Sequence, residues 1–343
     1  MFLSCGDSLY DMFVGAGGTE GQPENLNDNT RIAIAGVVGG SPMNVALGLS
    51  RFGHSSSYLT KLSTDIFGQR IGRFLDNNAI DRSLSVPTDY NTTLAMVELG
   101  DDGAANYAFY INNTADVSLQ KDELPSALPA SIRALHFGSY STAVDPVAGS
   151  LQMLAARESE SRIISYDPNL RLSIEPNVDV WRESFAKFAK AANLIKASDE
   201  DIEALYGKGK EDAFVADCFS HNAELVYITR GPDGASAFTA DGQSAVANGL
   251  AVNVVDTVGA GDTFQAAILH WLASNNHIDT VAGEGSRVEV GNNVSVGNNV
   301  RIGTPPTLKG AVDLEASLAF AIKAAAITCT RQGADLPTLT DLE

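Results

Sequence analysis

The chain has 343 residues, 44% of them hydrophobic, with 23 Lys and Arg against 42 Asp and Glu for a net charge of −19. That length suits one α/β unit carrying an appendage, and that charge excludes nucleic acid and anionic membrane surfaces as general partners. Phosphate is not excluded, because a local cradle of backbone N–H groups binds it even within an acidic protein. Cys5, Cys218 and Cys329 are few and far apart, with neither a disulfide framework nor zinc spacing. They predict a reducing compartment. The opening Met1-Phe2-Leu3-Ser4-Cys5 lacks the basic segment of a signal peptide, and no apolar run reaches membrane-spanning length. The expected location is the cytoplasm.

Phe2 to Cys5 reads as a first strand that ends at Gly6-Asp7, with Asp11 close behind. Gly15 to Arg31 is polar and Gly-rich. In Gly39-Gly40-Ser41-Pro42-Met43-Asn44, Ser41 is predicted to cap a helix, with Pro42 at its first position and Gly53 at its end. Asn44 then sits one turn in, where a solvated helix residue and a ligand contact are both open readings. A further helix is predicted from about Gln69 to Asn77. Leu94 to Leu99 and Asn106 to Ile111 flank the turn Asp101-Asp102-Gly103, a hairpin pattern. Its Tyr107, Phe109 and Tyr110 suit stacking on a ligand, a small core or a dimer seam.

From Ile132 onward, strand and helix alternate. The predicted strands are Ala134 to Phe137, Ile163 to Tyr166, Leu194 to Lys196, Leu225 to Thr229 and Ala251 to Val255. The predicted helices are Val147 to Arg157, Val180 to Ala191, Asp199 to Tyr206, Glu211 to Phe219, Asp262 to Ala273 and Asp313 to Thr330. Such alternation implies a mostly parallel sheet with helices on both faces, and ligands that collect beyond the carboxyl ends of the strands. Polar clusters fall there: Asp167-Pro168-Asn169-Leu170-Arg171, Ser198-Asp199-Glu200-Asp201 and Thr229-Arg230-Gly231. Each has a plain reading too. Asp-Pro-Asn is turn chemistry, and Ser198 to Asp201 is a helix cap with acids in the first turn.

The densest signal is Asp256-Thr257-Val258-Gly259-Ala260-Gly261-Asp262-Thr263-Phe264. A Gly-Ala-Gly turn opening a helix points unpaired N–H groups at one spot, which favours an anion. A carboxylate beside such a hole would repel bound phosphate. It makes sense if Asp262 takes a proton from a hydroxyl while the hole holds the charge of a transferring phosphoryl group. No Gly-x-x-x-x-Gly-Lys-Ser/Thr occurs, so this is not a P-loop arrangement. The five histidines lack metal spacing. Between about residues 283 and 304, Val290-Gly291-Asn292-Asn293-Val294-Ser295 is followed by Val296-Gly297-Asn298-Asn299-Val300-Arg301, a six-residue period too short to build its own core. It reads as a surface insertion.

The nine-residue turn string resembles the C-terminal signature of the PfkB (ribokinase-like) sugar kinases. Gly39-Gly40-x-x-x-Asn44-x-Ala46 resembles the N-terminal one. Asp167-Pro168-Asn169-x-Arg171 and Thr229-x-Gly231-x-x-Gly234-Ala235 extend the likeness nearly end to end, and within the family the chain is most similar to bacterial fructokinases. The resemblance implies a single kinase domain over residues 1–343, of ribokinase-like α/β fold, with a small β-sheet lid from about residues 12–36 and 88–114. It implies ATP as phosphoryl donor, with Mg²⁺ and K⁺, and a sugar acceptor, with fructose first. Kinases for 2-keto-3-deoxygluconate or ribose, and a catalytically idle sugar-binding relative, would share the pattern. A homodimer through the lid is also implied.

By the same resemblance, Asp262 is the catalytic base, Gly259, Ala260 and Gly261 form the anion hole, and Arg171 assists. Asp11, Gly39, Gly40, Asn44, Tyr107, Phe109 and Asn169 hold the sugar. Ser198, Thr229 and Gly231 lie on the nucleotide side with Gly259 and Gly261. Backbone carbonyls of Asp256 and Val258 hold the potassium. Where the family often has Asn-x-x-Glu, this chain has Ser198-x-x-Asp201, whose shorter acid would order Mg²⁺ through water.

Overall fold

The computed structural model describes residues 1–14, 34–99, 105–278 and 306–343. Its strands are β1 (Phe2–Cys5), β2 (Leu9–Val14), β3 (Ile34–Gly39), β4 (Ser56–Leu59), β5 (Lys61–Ser63), β6 (Ile80–Asp81), β7 (Val86–Thr88) and β8 (Thr93–Leu99), then β9 (Ala105–Tyr110), β10 (Ala134–Gly138), β11 (Ile163–Asp167), β12 (Leu194–Ser198), β13 (Leu225–Thr229), β14 (Ala235–Thr239) and β15 (Ser244–Ala247). The helices are α1 (Ser41–Arg51), α2 (Ile66–Asn77), α3 (Val147–Glu158), α4 (Val178–Ala189), α5 (Asp199–Tyr206), α6 (Glu211–Ser220), α7 (Ala260–Ser274) and α8 (Leu314–Cys329).

Nine strands form one sheet in the order β15-β14-β13-β12-β11-β10-β1-β4-β6. All pairs are parallel except those made by β14 and β15. The runs β1, β10 and β11 are buried at every position, as strands covered on both faces must be. One face packs Leu151, Trp181, Phe185, Phe188, Ile202 and Phe214 from α3 to α6. The other packs Val45, Leu49, Phe264, Ile268, Leu272 and Leu318 from α1, α7 and α8. This is the two-faced ribokinase-like architecture expected. A smaller sheet, β3-β2-β8-β9, stands apart and contains the expected hairpin β8–β9. The chain runs from β1 through Gly6–Ser8 straight into β2, so the small sheet springs from the carboxyl end of the large one. There β1 has β4 on one side and the much later β10 on the other, the switch in strand order at which such sheets bind ligands.

Three expectations need correction. Ala251 to Val255 is not a strand. It pairs with no strand edge, Val255 N–H donates to Cys329 O at 2.8 Å, and Val252, Val254 and Val255 are 38%, 58% and 59% exposed. Its β-branched composition mimics a strand because it lines a cavity. Second, Ser41 does not cap α1. Gly40 is the cap residue, with φ 127°, and Ser41 is the first helical residue, its side chain free for other work. Third, α7 begins at Ala260 rather than Asp262. The segment 283–304 and much of the 12–36 half of the lid lie outside the described residues. Among the described residues, no helix is long and apolar enough to cross a membrane.

Helices α1 and α7 touch at Gly48. A Cβ there would lie 2.6 Å from Ala266 Cβ and 2.9 Å from the buried Leu336. Gly48→Ala should therefore push the helices apart and cost about 1–3 kcal/mol of stability, read as a lower urea midpoint at unchanged m-value.

Candidate active site

The turn that opens α7 depends on Gly259, which is left-handed at φ 79°. A Cβ there would also come within 2.8 Å of Ala334 Cβ, so both conformation and packing require glycine. The N–H groups of Gly259, Gly261 and Asp262 have no backbone acceptor among the described residues. Ala260 is different: its N–H is used within the turn, donating to Thr257 O at 3.2 Å. The free donors at this helix start are thus Gly259, Gly261 and Asp262, not the expected Gly259, Ala260 and Gly261.

Asp262 sits in the first turn with its carboxylate buried. Ser41 Oγ donates to Oδ1 at 2.6 Å and Asn44 Nδ2 to Oδ2 at 2.8 Å. Asn169 Nδ2 donates in turn to Ser41 Oγ at 2.8 Å, and Arg171 donates to Asn169 Oδ1 at 2.7 Å. One relay therefore joins the loop after β11, the start of α1 and the start of α7. Burial raises the pKa of Asp262, while Ser41, Asn44, Arg171 and Lys196 pull it back down.

A cavity of about 530 Å³ opens beside this carboxylate, lined by Asp7, Asp11, Asn44, Phe109, Arg171 and Asp262 among others. Gly40 forms part of its wall. A Cβ on Gly39 would lie 2.3 Å from Asp11 Oδ2, and one on Gly40 would lie 2.4 Å from Asp7 O. The glycine pair is needed so that the end of β3 can lie against these acids. Burial pushes Asp11 up to about 6, with Arg171 opposing. Burial, helped by Asp116, pushes Asp7 up to about 7. Asp7 Oδ1 is buried without a hydrogen-bond partner among the described residues, and Asp7 lines the cavity, so this oxygen is free to accept from a ligand. Asp7 and Ser41 are the site residues that sequence reasoning missed. The signal for Asp7 was its place at the carboxyl end of β1.

A second cavity of about 570 Å³ lies on the other side of the turn, lined by Thr229, Gly231, Gly234, Val252, Ala325 and Ala326 among others. Thr257 and Gly261 line both cavities. The turn is the wall between them.

Ser198 and Asp201 are not on either wall. They form a capping box on α5: Asp201 N–H donates to Ser198 Oγ at 3.0 Å, and Ser198 donates back to Asp201 Oδ2 at 2.7 Å. Asp201 Oδ1 accepts Leu170 N–H at 2.8 Å. Both oxygens are engaged by protein, and Glu200 is the acid of this segment that lines the first cavity. Tyr107 is in β9, but its side chain lies outside the described residues. Asp256 ties two loops together, accepting Val258 N–H at 3.0 Å and Gly333 N–H at 2.9 Å. The carbonyls of Asp256 and Val258 accept no hydrogen bond among the described residues, which fits an alkali cation there.

A buried carboxylate at one cavity, next to a helix N-terminus that faces a second, is an arrangement able to take a proton from an alcohol and to hold the charge of a phosphoryl group. The profile of the pfkB family carbohydrate kinase matches residues 23–288, and the chain belongs to this family. It is a sugar kinase that transfers phosphate from ATP. It is 35% identical to a fructokinase of Rhizobium leguminosarum bv. trifolii over 80% of this chain and 81% of that one. It is 37% identical to the probable chloroplastic fructokinase-6 of Arabidopsis thaliana over 69% of this chain, a match that spans 62% of that protein. Among solved structures, the fold is similar to fructokinase with bound ATP from Xylella fastidiosa (TM-score 0.79, 22% identity, 99% of this chain and 96% of that one). It is also similar to a double-mutant fructokinase from Vibrio cholerae O395 with fructose, ADP and potassium (TM-score 0.76, 22% identity, 99% and 96%).

Ser41 and Asn44 both hydrogen-bond the ionised form of Asp262, so losing either donor raises its pKa. The acid limb of kcat/KM in Ser41→Ala should accordingly move to higher pH. A limb in the parent position would show that Ser41 does not set the base.

Proposed function

We propose that this kinase transfers the γ-phosphoryl group of MgATP to a hydroxyl of fructose. The observation that carries the reading is the shared wall: Thr257 and Gly261 face a cavity lined by the polar Asp7, Asp11, Asn44, Arg171 and Asp262 and a second lined by the apolar Val252, Val254, Ala325 and Ala326, the first suiting a sugar and the second a base. The fructokinase relatives support the choice of sugar.

The sugar lies against Asp11 and Asp7, which accept its hydroxyls. Phe109 covers it from the small sheet, and this sheet acts as a lid that excludes water. Asp262, oriented by Ser41 and Asn44, takes the proton of the attacking hydroxyl. The free N–H groups of Gly259, Gly261 and Asp262 and the guanidinium of Arg171 stabilise charge on the transferring group. Adenine occupies the second cavity, where Ala325 and Ala326 permit close approach. Glu200, on the wall of the first cavity, would hold the waters of the Mg²⁺ that accompanies ATP, and that ion would supply neutralisation of phosphate charge. Potassium held by the Asp256 and Val258 carbonyls would brace the turn from behind.

On the face opposite Asp11 and Phe109, the small sheet presents Ile34, 41% exposed, and Tyr110, 63% exposed. This face suits a second copy of the chain. Size-exclusion chromatography with light scattering should give a dimer, and a clean monomer would end this part of the reading.

ADP release should be measured with MgATP and KCl against fructose, ribose, 2-keto-3-deoxygluconate and adenosine. Fructose should be preferred. Release with another sugar would keep the mechanism and replace the substrate, and no release with any would favour an idle sugar-binding protein. Asp262→Asn should lower kcat by about 10²–10⁴-fold with sugar affinity little changed. Near-parent turnover would remove Asp262 from the role.

A further inference from the structure

Lys196 is in the middle of β12, flanked by the buried Leu194, Ile195 and Ala197, and is itself only 4% exposed. A buried ammonium in a parallel strand carries a heavy desolvation cost. Its one partner among the described residues is Asp167 Oδ2, at 2.8 Å, and Asp167 is 1% exposed. The other Asp167 oxygen is buried with no partner among the described residues. An apolar pair of similar volume would serve the core at least as well. The placement explains the charge better than stability does, since a Cβ built on Gly261 would lie 3.2 Å from Lys196 Nζ. The ammonium abuts the backbone of the turn that divides the two cavities.

We propose that Lys196 is a positioning residue of phosphoryl transfer: a fixed, water-shielded positive charge, held by Asp167 behind the Gly259–Gly261 turn, that keeps Asp262 ionised and strengthens the hole for the transferring group. The proposal rests on the kinase reading above. Arg171 stands in the cavity and is partly solvated, whereas Lys196 is buried, where a preorganised charge acts most strongly. The groups around Asp262 are Ser41 and Asn44 from α1, Asp167 from β11 and Arg171 after it, Lys196 from β12 and Asp11 from β2. Those around Lys196 are Asp167 from β11, Asp201 from α5, Asp262 from α7 and the neutral His136 from β10. Burial alone would lower the Lys196 pKa, but the three carboxylates outweigh it and hold the ammonium charged.

The test is Lys196→Met in the full-length protein. The Asp262 carboxyl is titrated by ¹³C NMR without substrate, with Asp262→Asn assigning its resonance. Removing a nearby positive charge must raise the Asp262 pKa, so the titration and the acid limb of kcat/KM should both move to higher pH. At the same time kcat should fall about 100-fold while calorimetric sugar affinity holds. A merely structural lysine would lower stability and leave titration, limb and kcat in place, and that result overturns the proposal. If Lys196→Met does not fold, the neutral double variant Asp167→Asn/Lys196→Met replaces it, with the same required split between kcat and sugar affinity. Absence of turnover in the parent protein would count against the kinase reading instead, and the NMR titration would still decide the role of Lys196.

Discussion

The carboxylate of Asp262, gripped by Ser41 on one oxygen and Asn44 on the other, is the contact on which the rest of the site depends. Burying a carboxylate is costly unless donors meet both oxygens. Here the donors come from a helix 218 residues away in sequence in the case of Asn44, so the geometry exists only when α1 and α7 pack closely. Gly48 against Ala266 permits that approach. The same two donors set the chemistry. They oppose the rise that burial gives the Asp262 pKa, so the packing of two helices both positions this carboxylate and lowers the cost of its charge.

The turn before Asp262 works as a partition. A partition one backbone thick requires residues without bulk, and Gly259 and Gly261 supply them. Gly259 meets Ala334 from the loop after α8, and Gly261 meets Lys196 from β12. Asp256 fixes the approach to this turn by binding Gly333 N–H, which draws the loop after α8 alongside. The segment 251–255 is tied to the end of α8 by Val255 N–H donating to Cys329 O and joins no ladder among the described residues. Freed from strand pairing, it turns Val252 and Val254 to the second cavity.

Local patterns made the large sheet, the hairpin and the Gly-Ala-Gly-Asp turn legible, because period, turn residues and helix starts are written within a few residues. Contacts between distant segments were not legible. Ser41 looked like a cap, and its real partner lies 221 residues away. Asp201 carried the expected metal role; its oxygens accept from Ser198 and Leu170 N–H, so the capping reading of the sequence is the part that the structure displays. Ala251 to Val255 has the composition of a strand because a cavity wall and a half-buried strand both select branched apolar side chains. Lys196, in an otherwise apolar run, gave a signal that only its burial made readable.

Electrostatics explain how a chain of net charge −19 can act on ATP. Global charge slows the approach of an anion but is screened beyond about 10 Å in salt, so the site answers to nearby groups. Near the turn the balance reverses. The helix start offers free N–H groups, Arg171 stands on one side and Lys196 behind, and the carboxylates of Asp7 and Asp11 are pushed upward by burial to about 7 and about 6. A hydroxyl acceptor can therefore be held by acids that carry less than full negative charge at neutral pH. Burial raises Asp262 as well, with the two donors and the cations Arg171 and Lys196 opposing the rise. The three aspartates differ in what meets them: Asp262 accepts from Ser41 and Asn44 on its two oxygens, whereas Asp7 keeps Oδ1 without a partner among the described residues.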